Sequence, residues 1–182
     1  MLKKLFGVIS SLVLLSGCGS LDRQNSAIIV TSTDFREGEQ LPRAFTCDGD
    51  NSSPELMWST IPAKTQSFTL IAHDPDAPQK VFTHWVLFNI PPTLTKLDRA
   101  LSEERIASWD AIQGMNDFGK VGYAGACPPQ GNGDHHYIFT LYALDVKLDL
   151  KPGASRQEVL KAQEEHVIGS GTLTALYKRS GV

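Results

Sequence analysis

What this chain lacks narrows the field first. It has no basic excess: 17 lysines and arginines stand against 20 acids, a formal charge of −3 at pH 7. With no basic stripe to neutralise phosphates along a strand, the composition argues against a nucleic-acid partner. Cysteine is scarce, three in 182 residues, and none sits at the close Cys or His spacing of a zinc site. No apolar run reaches the roughly 20 residues that a membrane-spanning helix needs. The chain shows no internal repeat, no low-complexity block and no second domain boundary. A nucleophile elbow of the G-x-S-x-G kind is also missing.

What is present begins at the N-terminus. Lys3 and Lys4 precede the uncharged apolar run Leu5 to Leu15, which has the length of a secretory h-region. Leu15-Ser16-Gly17-Cys18 follows and resembles the lipobox of bacterial lipoproteins. The resemblance implies cleavage before Cys18 and acylation of that cysteine, with two or more chains giving firm membrane attachment. The alternative is an ordinary secretory signal with an incidental cysteine. The expected organisation is a signal peptide at 1–17, a lipidated polar tether at 18–27 and one domain at 28–182. Gly19 stands where an aspartate is associated with inner-membrane retention, so the outer membrane of the cell envelope is the expected location. Export also places Cys47 and Cys127 where a disulfide is permitted.

Past the tether, short apolar runs alternate with turns, the pattern of strands. Ala27 to Ser32, Leu56 to Trp58 and Ser67 to His73 are three such runs. Val81 to Ile90 is apolar on both faces, which predicts a doubly buried central strand closed by Pro91-Pro92. His136 to Asp145 predicts a second, and Thr93 to Gly122 reads as irregular. Ser155-Arg156-Gln157-Glu158 is a capping box. Val159, Leu160, Val167 and Ile168 then keep helical spacing, with Gly169 as the predicted stop. Thr172 to Tyr177 is a candidate last strand. The expected fold is mainly β, a sandwich with a C-terminal helix.

Two segments concentrate polar chemistry where a strand meets a turn. The first is Asp74-Pro75-Asp76-Ala77-Pro78, leading into Phe82-Thr83-His84-Trp85. The second is Tyr123-Ala124-Gly125-Ala126-Cys127-Pro128-Pro129-Gln130-Gly131, leading into His135-His136-Tyr137. Each alone has a bland explanation: Asp-Pro pairs start turns, and a histidine in a strand is usually a hydrogen-bonded core residue. Together they resemble the two signature regions of the phosphatidylethanolamine-binding protein family, which includes the Raf kinase inhibitor protein. The likeness extends to Thr46-Cys47-Asp48-Gly49-Asp50-Asn51-Ser52-Ser53-Pro54, Leu56-Met57-Trp58 and Trp85 to Pro91.

The resemblance implies a Greek-key sandwich of two antiparallel sheets and a pocket for phosphate or phosphorylated head groups, with no cofactor. Carried over residue by residue, the pocket comprises Asp74, His84, His135 and Tyr137, walled by Cys127, Pro128 and Pro129 and braced by Asp76. It also implies that Cys47 and Cys127 both border the pocket, which allows a disulfide between them. Phe82 stands where some members carry tryptophan, and Ala126 where bacterial relatives usually carry proline. Two imidazoles and a phenol supply hydrogen-bond donors for a small anion, and His135 and Tyr137, two apart in a strand, face the same way.

Three other readings compete. Asp74, His84 and His135 can be drawn as an acid–base set with Cys127 as nucleophile. Asp134, His135 and His136 can be drawn as a metal site, although adjacent strand residues point to opposite faces. A third reading is a module that binds another protein, as kinase and protease inhibitors in the family do.

Overall fold

The computed structural model describes residues 26–180. The signal segment 1–17, Cys18 and most of the expected tether lie outside the described residues. Six strands form the larger sheet: β1 (Ser26–Ala27), β4 (Ser67–Asp74), β5 (Phe82–Ile90), β7 (Ile112–Gln113), β8 (His135–Leu144) and β9 (Val167–Tyr177). Their spatial order is β1-β9-β8-β4-β5-β7. The smaller sheet is β2 (Ile29–Thr31), β3 (Leu56–Ser59) and β6 (Lys96–Leu97), in the order β2-β3-β6. Among the described residues there are two α-helices, α1 (Glu103–Ala107) and α2 (Arg156–Gln163), and a 3-10 turn at Arg43–Phe45.

Strand alternation divides the apolar side chains between two cores. Phe68, Leu70 and Ala72 of β4 join Trp85 and Leu87 of β5, Phe139 and Leu141 of β8, and Leu56 and Trp58 of β3 in the core between the sheets. The residues between them, Ile71, Val86, Phe88 and Leu144, turn to the reverse face and meet Val159 of α2. β4 and β5 are therefore buried on both sides, as their continuous apolar runs predict. Helix α2 starts as its sequence specifies: Ser155 Oγ accepts from Glu158 N, and the Glu158 carboxylate accepts from Ser155 N at 2.8 Å.

The structure corrects several expectations. The helix does not run to Gly169. It ends at Gln163, and Val167–Tyr177 is an 11-residue strand paired along β8. Gly169 and Gly171 are there for close approach: a Cβ would lie 2.7 Å from Pro62 Cγ in the first case and 2.0 Å from Ile28 O in the second. The candidate last strand, Thr172 to Tyr177, is the second half of this longer one. The pairing is also not wholly antiparallel, because β1 runs parallel to β9. The expected strand 27–32 is split between the two sheets as β1 and β2. The segment 93–122, read as irregular, contains β6, α1 and β7.

Candidate functional site

One end of the larger sheet gathers the chemistry. β4 leaves the sheet at Asp74, β5 enters beside it, and β8 begins with His135 on the other side. Sequence alternation alone would send His84 to the same face as Val86 and Phe88. A β-bulge prevents this: Ala72 pairs with Trp85 but His73 pairs with Thr83, so His84 is the extra residue. Bulges re-aim side chains, and this one brings His84 to the face occupied by Asp74.

Asp74 is held by both oxygens. Its Oδ1 accepts from Asp76 N at 2.8 Å and its Oδ2 meets His135 Nδ1 at 2.7 Å. Both side chains of that pair are buried. The contact fixes His135 with Nδ1 toward the carboxylate, which leaves Nε2 as the nitrogen a ligand can use. His84 is oriented differently. Its Nδ1 lies 2.8 Å from Ala124 O, and a carbonyl only accepts, so this nitrogen carries the hydrogen. Phe82, Phe118 and Tyr137 surround the His84 ring at 5.3, 5.7 and 5.2 Å between centroids. Burial pushes His84 below the ordinary histidine range, opposed by the Ala124 hydrogen bond and the Asp74 charge. A neutral His84 presents an acceptor at Nε2.

These groups line a cavity of about 200 Å³ together with Ala77, Pro78, Phe82, Phe118, Cys127, Pro128 and Pro129. Larger cavities exist on the molecule, but this one collects a carboxylate and two imidazoles. Its proline wall is fastened from behind. Cys127 is bonded to Cys47, with Cα atoms 5.4 Å apart, so no free thiol stands there. Tyr123 Oη donates to Phe45 O at 2.6 Å, and Gly125 N donates to Asn51 Oδ1 at 2.7 Å. A Cβ on Gly125 would lie 2.6 Å from Phe45 O, so this close approach requires glycine.

Asp74, His84, Cys127, Pro128, Pro129 and His135 therefore meet at one cavity. Tyr137 does not line it. The ring meets His84 edge-on, and its hydroxyl lies close to Asp74 and to the Cys127 backbone. Burial, reinforced by the Asp74 charge, pushes that phenol far above its ordinary range, so it stays protonated. Asp76 is tied to the start of β8: its Oδ2 accepts from His136 N at 2.8 Å and meets His136 Nδ1 at 2.7 Å. His135 and His136 point apart, one buried and one exposed. No group of three His, Cys, Asp or Glu suited to a metal ion occurs among the described residues. Phe118 was missed from sequence. Its signal is an aromatic in a polar turn, Asn116-Asp117-Phe118-Gly119, where a half-exposed ring has no core to fill.

Comparison with known proteins agrees with this fold. The UPF0098 protein of Methanothermobacter thermautotrophicus is 49% identical over 145 residues, 80% of this chain and 95% of its own length. The UPF0098 protein YbcL of Escherichia coli is 38% identical over 164 residues, 85% of this chain and 90% of its own. The crystal structure of E. coli YbcL, described as a new member of the mammalian PEBP family, superposes with a TM-score of 0.77 at 37% identity, covering 83% of this chain and 98% of that one. A putative PEBP homologue, CT736 of Chlamydia trachomatis, superposes with a TM-score of 0.76 at 32% identity, over 85% and 99% of the two chains. With residues 31–178 also matching the family model, this chain belongs to the phosphatidylethanolamine-binding protein family.

Proposed function

We propose that the protein binds a small phosphate or phosphoryl-bearing ligand without chemical turnover, as a lipoprotein anchored through Cys18 in the cell envelope. The observation that carries this reading is the buried Asp74–His135 pair beside His84 in a walled cavity. Asp74 orients the His135 imidazole through its Nδ1. His84 waits neutral and gains a proton as the anion arrives. That proton turns a ring nitrogen into a donor aimed at an oxyanion. The Cys127 thiol is not available as a nucleophile, because that sulfur is in a disulfide.

The proposed anchor fits a ligand delivered from solution. Ser26 pairs with Gly169, whereas His135 pairs with Tyr177 further along β9. At roughly 3.3 Å per residue, Ser26 and the cavity lie near opposite ends of the sheet. Gly19 after the lipidated cysteine favours the outer membrane.

Calorimetric titration with inorganic phosphate and phosphoethanolamine tests the binding reading. Saturable binding that disappears in a His84→Ala/His135→Ala protein is expected. Equal affinity in that double variant would reject the pocket. Radiolabelled palmitate should enter the intact protein and not a Cys18→Ser protein.

A further inference from the structure

The reverse face of the same sheet carries a second cavity, which the first reading leaves unused. It measures about 360 Å³ and lies between the start of β5, the turn at 115–117 and the start of α2. Its polar lining includes Lys80, Thr83, Asn116, Asp117, Ser155 and Arg156. The bulge at His84 separates the two sites: His84 faces the first cavity and the preceding Thr83 lines this one.

The two cations here are in different states. Lys80 is balanced by Asp117 at 2.8 Å, and the same carboxylate accepts from Thr83 N at 2.6 Å. Arg156 forms no ion pair among the described residues, and its Nε is buried with no hydrogen-bond acceptor. Guanidinium does not deprotonate in proteins, so Arg156 keeps a charge and an unsatisfied donor. Its field reaches His73, the residue paired with Thr83, whose Nδ1 is likewise buried without a partner. A buried donor without an acceptor is costly enough that such groups ordinarily have one. The amides at the start of α2 are not the attraction, since Ser155 and Glu158 already close that capping box.

We propose that this cavity is a second oxyanion site, in which Arg156 grips a carboxylate or phosphate group of a small molecule and Lys80 guards the rim. A guanidinium offers parallel N–H donors that match two oxygens of one oxyanion. The volume leaves room for a small organic body beyond that group. Val81 and Met115, the apolar part of the lining, would receive it.

The test is a nuclear magnetic resonance titration of the ¹⁵N-labelled protein with inorganic phosphate in one arm and malonate in the other. The Arg156 side-chain Nε–H signal is identified by its loss in Arg156→Lys. The expected result is a saturable shift of that signal and of the Asn116 and Asp117 amides, with at least one oxyanion. The shift persists in the His84→Ala/His135→Ala protein, which separates this site from the first. Arg156→Lys is expected to weaken the response at Asn116 by about tenfold or more, because an ammonium cannot reproduce the planar fork. Lys80→Ala provides a second variant remote from the α2 cap, with an expected loss of about threefold. No saturable shift at Arg156 Nε–H with either anion, or a shift that matched sodium chloride at equal ionic strength, would overturn the proposal.

Discussion

Asp74–His135 and Asp76–His136 are two aspartate–histidine pairs built from neighbouring residues on the same two segments, both with Nδ1 to Oδ2 at 2.7 Å. Their side chains are 5% and 4% exposed in the first pair, His135 and Asp74, but 53% and 41% exposed in the second. Bond length therefore says little about what either pair does. Strand alternation sends His135 inward and His136 outward, and the surrounding medium decides the rest. In water the Coulomb attraction is small and screened. Behind the Cys127-Pro128-Pro129 wall, removing one partner strands the other without solvent. The same chemistry makes a solvent-shielded pair in one place and a surface clip in the other.

Breaking the inner pair should have the largest effect. Asp74→Asn keeps the shape but removes the charge facing His135, and it exchanges an acceptor for an amide on one side. Leaving one partner of a buried hydrogen-bonded pair unsatisfied costs about 1–3 kcal/mol, readable as a lower urea midpoint. Phosphate affinity should fall about 100-fold, since charge-assisted bonds are the strong ones. An unchanged calorimetric titration would mean that Asp74 does not govern the site.

The next effect follows from opening the wall. Cys47 and Cys127 are 80 residues apart in sequence and fasten the proline wall to the segment around Thr46. Replacing both by serine should cost about 2–4 kcal/mol of stability. It should also admit water to the Asp74–His135 pair and make it behave more like the outer one. The expected reading is weaker phosphate binding with steeper dependence on ionic strength. If the affinity and its salt dependence matched those of the oxidised protein, the wall would have no part in excluding solvent.

His84 sharpens the comparison because it has no carboxylate partner. Its protonation is disfavoured in the folded protein by burial, so the unfolded chain binds more protons near the ordinary histidine range. Its contribution therefore makes the unliganded protein more stable as pH rises through about 6.5, and less stable as pH falls through the depressed value. Ligand binding has the opposite sign. An anion favours protonated His84, so affinity should fall as pH rises and binding should take up a proton. Calorimetry in buffers of different ionisation enthalpy measures that uptake. Its persistence in His84→Gln would assign the proton elsewhere.

Much of this architecture was legible in local pattern. Apolar runs identified β4, β5 and β8, and the Ser155–Glu158 reciprocity identified the start of α2. Local pattern failed where distant chain made the decision. Val167 and Ile168 fit a helical period, but Gly169 and Gly171 admit backbone and proline contacts from β1, its neighbour Ile28 and Pro62. The motif placed His84 near Asp74 by resemblance, yet only the bulge explains how it faces that way. Asn51, with a φ of 55°, holds Gly125 across 74 positions of sequence, a partnership that neither residue advertises alone.

The smallest effect belongs to the outer pair. Asp76→Asn should change stability by about 0.5 kcal/mol, the scale of an exposed ion pair. Two features limit the damage. The bond from Asp76 N to Asp74 Oδ1 uses the backbone and survives the substitution. The acceptor for His136 N also survives, because an asparagine oxygen can take that hydrogen. What disappears is the charge. The backbone and side chain of His136 hold the Asp76 carboxyl below its ordinary range, so its contribution is present above the usual aspartate pKa and is lost as pH falls through the depressed value. The variant should therefore approach the parent protein in acid-side urea midpoints and bind phosphate within about threefold of it at neutral pH. A loss comparable to that of Asp74→Asn would show that the outer pair positions β8 for the cavity, and that exposure is the wrong measure of its role.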